Sequence, residues 1–189
     1  MAPALAQTRI HTEDDYYNMP EDARAELIDG QFYNMSAPSR KHQEISAELL
    51  TAIRQYIKSK NGSCKAYAAP FAVKPFADDA TTIVEPDISV ICDHDKLTDR
   101  GCTGAPDWII EIISPGNPEH DYIYKLQLYA AAGVREYWIV DPQKERIFVY
   151  HLEKAKFEVE TYTFQDIVKV NIYDDLYINF SDIAELLNI

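Results

Sequence analysis

Residues 83–91 read IVEPDISVI, residues 105–115 read APDWIIEIISP, and residues 119–133 read EHDYIYKLQLYAAAG. The first two segments have the apolar density of buried strands, and the third has helical spacing ended by Gly133. Asp87 and Glu111 therefore fall inside strands, where a carboxylate is costly unless a cation or hydrogen-bond donors meet it. Lys125 lies at the edge of the helical stripe formed by Tyr122, Leu126 and Tyr129. Strand side chains alternate, so Glu85, Asp87 and Ser89 share one face. Glu111 likewise lies with Ile109 and Ile113, opposite Trp108, Ile110 and Ile112. If the two strands are neighbours, Asp87 and Glu111 converge, and two or three hard oxygen ligands suit Mg²⁺ or Mn²⁺. Competing readings are a Pro-Asp turn for Asp87 and a surface pair with Asp121 for Lys125. No such bland account covers the glutamate in WIIEII.

Upstream, Asp29-Gly30 between two β-prone runs predicts a two-residue hairpin. The spacing of Ile45, Leu49, Ile53 and Ile57 predicts a helix over 40–60, with His42 on its inward face and Asn61-Gly62 closing it. Residues 63–76 read as a strand interrupted by Pro70, at a sheet edge. Downstream, residues 135–140 (REYWIV) form another buried strand, 145–151 and 157–164 a hairpin or meander, and 170–178 a β-prone run. Ser181-Asp182 caps a short last helix over 183–187. The order predicts an α/β (α+β mixed) chain: a central mixed sheet flanked by helices, with additional β-hairpins. One domain over 1–189 is expected, with residues 1–11 as a flexible extension.

Composition narrows the function. The chain has 189 residues, 47% hydrophobic, with 18 Lys+Arg against 31 Asp+Glu and a net charge of −13. That balance opposes strong non-specific nucleic-acid binding. Arg40, Lys41, Arg54, Lys58, Lys60 and Lys65 against Glu44 and Glu48 nevertheless give residues 40–65 a local 6 − 2 = +4. That segment is either a phosphate contact or a solubilised helix face. No apolar run is long enough for a membrane span, no signal peptide is read at the N-terminus, and Cys64, Cys92 and Cys102 lack framework spacing. A reducing cytoplasm is the expected location. A zinc site from Cys92, His94, Cys102 and His120 matches no structural zinc spacing. Walker A, G-x-G-x-x-G and G-x-S-x-G motifs are absent.

The pattern ELIDG, His42, EPDISV, PDWIIEIISP and DYIYKLQLYAAAGVREYWIVDP resembles the Uma2 family of restriction endonuclease-like proteins, abundant in cyanobacteria, over roughly residues 12–187. The resemblance implies membership of the PD-(D/E)XK nuclease superfamily. Pro86-Asp87 then supplies the PD, and Glu111 the acidic residue of the second half-motif. Ile113 stands where that motif has its lysine, so Lys125 serves as a migrated lysine. Glu26 and His42 match further family positions. The implied chemistry is Mg²⁺-dependent hydrolysis of DNA phosphodiesters by a homodimer, with Asp87, Glu111, Glu26 and the Ile112 carbonyl holding metal. The competing reading is a catalytically silent nuclease-like fold acting as a DNA- or protein-interaction module.

Overall fold

The structure is a computed structural model that describes residues 9–20, 22–114, 118–153 and 158–187, with side chains in the stretch 118–122 left aside. Chain order gives α1 (Glu13–Tyr17), β1 (Ala25–Ile28), β2 (Gln31–Asn34), α2 (Arg40–Ser59), β3 (Lys65–Ala68) and β4 (Ala72–Lys74). Then come β5 (Ile88–Ile91), a 3₁₀ turn at His94–Lys96, β6 (Leu97–Thr98), β7 (Gly101–Thr103) and β8 (Trp108–Ile112). The chain continues through α3 (Pro118–Ala132), β9 (Glu136–Asp141), β10 (Arg146–His151), β11 (Glu158–Thr163), β12 (Ile167–Lys169), β13 (Tyr177–Asn179) and α4 (Phe180–Leu187).

The central sheet has the order β11-β10-β9-β8-β5-β3 and is mixed. Only β8 and β9 run parallel, joined through α3, and the other neighbours are antiparallel. One face buries Ile45, Leu49 and Ile53 of α2 against Ile88, Trp108, Ile110 and Trp138. The opposite face buries Leu128 and Tyr129 of α3 against Ile109, Tyr137 and Ile139. The alternation in WIIEI is thus real, with Ile110 and Ile112 toward α2 and Ile109 toward α3. β3 is an edge strand, as its neighbouring proline predicts, and the Ala69–Pro70 peptide is cis.

The β1–β2 hairpin forms at Asp29 (φ 48°) and Gly30 (φ 74°), both in the left-handed region. A Cβ on Gly30 would collide with Ile10. Of the expected N-terminal extension, residues 1–8 lie outside the described residues. His11 N–H donates to the Gly30 carbonyl, which seats the chain on this hairpin.

Four expectations need correction. Residues 83–91 are not one strand: Ile83 and Val84 form isolated bridges to Leu27 and Val73, and regular pairing starts at Ile88. Pro86 has no N–H to give, and the Glu85 N–H is taken by the Glu26 carboxylate. The polar connection after Ile91 carries β6 and β7, and β7 lies between β4 and β6 in a separate sheet. The β-prone run at 170–178 is mostly the turn between β12 and β13. Finally, Cys64 and Cys92 form a disulfide across β3 and β5, leaving Cys102 as the free cysteine. Strand pairing brings the two cysteines opposite each other, a contact across 28 residues of sequence that spacing does not reveal.

The 170–173 turn is tied to the sheet by Glu136, which is 1% exposed. Its carboxylate accepts from Trp138 Nε1 at 2.7 Å and from the N–H groups of Asn171 and Ile172 at 2.8 and 2.9 Å. Glu136→Ala strands these donors and should cost about 2–4 kcal/mol in urea unfolding. Burial raises the Glu136 pKa above its ordinary value, so the folded state holds that proton more tightly than the unfolded chain. The associated stability is present below the ordinary value and lost as pH rises through the raised one. Glu136→Gln should therefore flatten the fall in stability on the mildly acidic side, measured as unfolding free energy against pH. Thiol labelling of the denatured, unreduced protein should report one thiol, Cys102, and labelling after reduction all three cysteines.

Candidate active site

The register of β5 against β8 places Ile88 opposite Ile110. One residue further, Asp87 faces Glu111 where β5 begins and β8 ends. The Ile112 N–H donates to Asp87 Oδ2 at 2.7 Å, and His42 Nε2 lies 3.1 Å from the same oxygen. Ile112 thus turns its polar backbone toward β5, and its carbonyl follows, since both groups of a strand residue face one edge. His42 is set in the first turn of α2, where its N–H donates to the Ser39 hydroxyl that caps the helix. His42 is buried, and its Nδ1 has no hydrogen-bond partner among the described residues.

Lys125 joins the carboxylates from the other side. It is 4% exposed, and its Nζ donates to Glu111 Oε1 at 2.9 Å and to Glu26 Oε1 at 3.0 Å. Four residues on, Tyr129 places its hydroxyl 2.8 Å from Glu111 Oε1. Burial, and then the charges of Glu111 and Glu26, hold the Tyr129 phenol well above its ordinary pKa. It is therefore a permanent donor to Glu111. Glu26 on β1 also accepts the Glu85 N–H at 3.0 Å, which fixes the hairpin to the segment entering β5. The structure thus brings Glu26, His42, Asp87, Glu111, Ile112 and Lys125 to one cleft of about 310 Å³.

The sequence did not single out a second layer in this cleft. Glu85 accepts from Tyr16 OH and from Arg24 Nη2, each at 2.8 Å. Its signal was available: a glutamate among apolar residues two positions before Asp87. Tyr129 also had one, lying one helical turn beyond Lys125. Asp121, the alternative partner for Lys125, has its side chain outside the described residues.

Four lining carboxylates (Glu26, Glu85, Asp87, Glu111) against Lys125 and Arg24 leave the cleft at 2 − 4 = −2 before His42 is counted. Negative charge and hard oxygen donors suit a divalent cation. The spacing differs from the expected ligand set, however. Among the described residues, no three His, Cys, Asp or Glu side chains gather to hold a metal ion. The Lys125 ammonium lies between Glu26 and Glu111, and Asp87 Oδ2 is engaged by Ile112 and His42. Removing the ammonium leaves two buried carboxylates facing each other, so Lys125→Met should cost about 3–5 kcal/mol in urea unfolding. Adding Glu111→Gln to Lys125→Met should recover part of that loss.

Comparison with known proteins agrees with this architecture. A crystal structure from Anabaena variabilis, described as "a putative nuclease belonging to DUF820", superposes with a TM-score of 0.75. It is 24% identical and covers 93% of this chain and 98% of its own, so it shows the shared fold. The uncharacterized protein slr1290 of Synechocystis is 28% identical over 142 residues, 73% of this chain and 72% of that protein. The model of the Uma2 family, described as "Putative restriction endonuclease", matches residues 13–181. With nearly its whole length matched, the chain belongs to the Uma2 family.

Proposed function

We propose that this chain is a metal-dependent endonuclease that hydrolyses phosphodiester bonds in DNA. The observation carrying this reading is the gathering of Asp87, just before β5, and Glu111 of β8 in one cleft, with Lys125 Nζ 2.9 Å from Glu111. Asp87, Glu111 and the Ile112 carbonyl, with Glu26 beside them, are the groups that would hold Mg²⁺ or Mn²⁺. When bound, such an ion supplies a polarised water and neutralises charge on the phosphoryl oxygens.

The chain's own residues have separate tasks in this reading. Lys125 is a preorganised cation held by Glu111, and it meets the negative charge that develops on the phosphoryl oxygen or orients the attacking water. Tyr129 fixes the Glu111 oxygen that Lys125 also contacts. His42 and the Ile112 N–H orient the Asp87 carboxylate. Glu26 holds the other side of the ammonium. A homodimer would present two such clefts to the two strands of a duplex. A DNA substrate supports a cytoplasmic location for the chain, and the Cys64–Cys92 disulfide is a feature at odds with a reducing compartment.

One observation favours a catalytically silent interaction module instead. The ammonium is wedged between the acidic groups, and three metal ligands are not gathered among the described residues. Plasmid nicking with Mg²⁺ or Mn²⁺ separates the two readings. Asp87→Ala and Glu111→Ala should each lower the nicking rate by about 10²–10³-fold or more, in line with loss of one preorganised electrostatic group. Equal nicking by parent and variants removes the site assignment. If DNA and RNA both stay intact and calorimetry shows no bound metal, the module reading stands.

A further inference from the structure

We propose that the groove between the C-terminal half of α2 and the edge strand β3 binds the phosphate backbone of duplex DNA. This deepens the nuclease reading and rests on it for the identity of the ligand. The groove encloses about 520 Å³, and every charged residue lining it is a cation: Arg54, Lys58 and Lys65. Among the described residues none of the three has a carboxylate partner. Eight of the other thirteen described Lys and Arg side chains do have one, in a chain with 31 Asp+Glu. Three adjacent unpaired cations in so acidic a chain form a surface suited to an anion that comes from outside.

The groove is also built. Arg54 Nε donates to the Ala66 carbonyl at 3.1 Å, which lays the guanidinium across the edge strand. The Cys64–Cys92 disulfide pins the start of β3 next to Lys65. Tyr67 on the same wall stacks on Phe71 with ring centroids 4.3 Å apart. The C-terminal end of α2 opposes an anion with about half a negative charge, which three full positive charges outweigh.

Position names the ligand. The two elements that form the groove also reach the cleft: His42 lies at the start of α2, and Ala69 directly follows β3. From Lys65 to Ala69 is about 13 Å along an extended chain. From His42 to Arg54 is about 18 Å along a helix. Successive residues of one DNA strand rise about 3.4 Å, so the groove stands about four to five base steps from the acidic cleft. A duplex with one phosphate in the cleft would run its backbone past Arg54, Lys58 and Lys65.

The test is fluorescence anisotropy of a labelled DNA duplex against the full chain, without divalent metal, over a series of salt concentrations. Each phosphate contact contributes about 0.9 to the slope of log K against log salt. The triple variant Arg54→Ala/Lys58→Ala/Lys65→Ala should lose about 2–3 of that slope. Lys58→Gln/Lys65→Gln, which keeps the Arg54 anchor, should lose about 1.8 and guards against misfolding of the triple. Lys60→Ala, whose lysine is paired with Asp175, should leave the slope unchanged. The proposal is overturned if both groove variants bind with the parent's slope and affinity, or if the parent binds no duplex at low salt. Chemistry is read separately by nicking. A parent that binds through the groove yet never nicks keeps this site and loses the nuclease reading, whereas Asp87-dependent nicking with normal binding by the groove variants does the reverse.

Discussion

The Lys125 ammonium, shared between Glu26 and Glu111, is the interaction on which the architecture of the site depends. It joins β1, β8 and α3, with Glu26 and Lys125 separated by 99 residues in sequence. Its three side chains are nearly sealed from solvent, so each charge gave up hydration that its partners must replace. An ammonium between two carboxylates still leaves one excess negative charge, and the Tyr129 hydroxyl and Glu85 N–H take up part of it. Such an arrangement is weak evidence for stability, because an apolar trio of the same volume would pack there without desolvation cost. What it fixes is position. Lys125 and Tyr129, one turn apart, both bind Glu111 and so set the rotation of α3 about its own axis.

This constraint propagates into the cleft. With Glu111 held from the α3 side, Asp87 is held from the α2 side by His42, and the Ile112 N–H bridges the two strands between them. The site lies where the sheet ends and both helical layers come within reach of the same strand terminus. Glu85 extends the acidic wall with Tyr16 and Arg24, using a segment that Pro86 keeps out of the regular ladder. The irregular backbone at 83–87 is therefore part of how the cleft is made.

Much of this was legible in the sequence because local rules and burial agreed. A glutamate in WIIEII has no bland role, the Asp-Gly turn demands positive φ at both positions, and the isoleucine spacing of α2 fixes its inward face. The buried positions of Glu111 and His42 follow from these signals. The features that escaped depend on contacts between distant residues. Strand register decides that Cys64 meets Cys92, so spacing along the chain gave the wrong reading of the cysteines. β7 is short and pairs with the edge of β4, and β6 pairs in turn with β7, partners no local pattern announces. Helical spacing leaves Lys125 between an inward position and a surface pair with Asp121, and its engagement with both Glu26 and Glu111 depends on where the hairpin lies.

A chain of net charge −13 with a cleft of −2 repels the phosphates it would have to hold. At physiological ionic strength, exposed charges are felt over about 8 Å. The cationic groove and the acidic cleft stand about 13–18 Å apart along β3 and α2, so neither cancels the other. If the groove holds a phosphate backbone and the cleft a cation, the two attractions operate on different parts of the molecule. Further cations inside the cleft would take the carboxylates of Asp87 and Glu111 away from any metal ion, as Lys125 takes one oxygen of Glu111. Keeping the other cations outside leaves that competition to one lysine, held on its far side by Glu26.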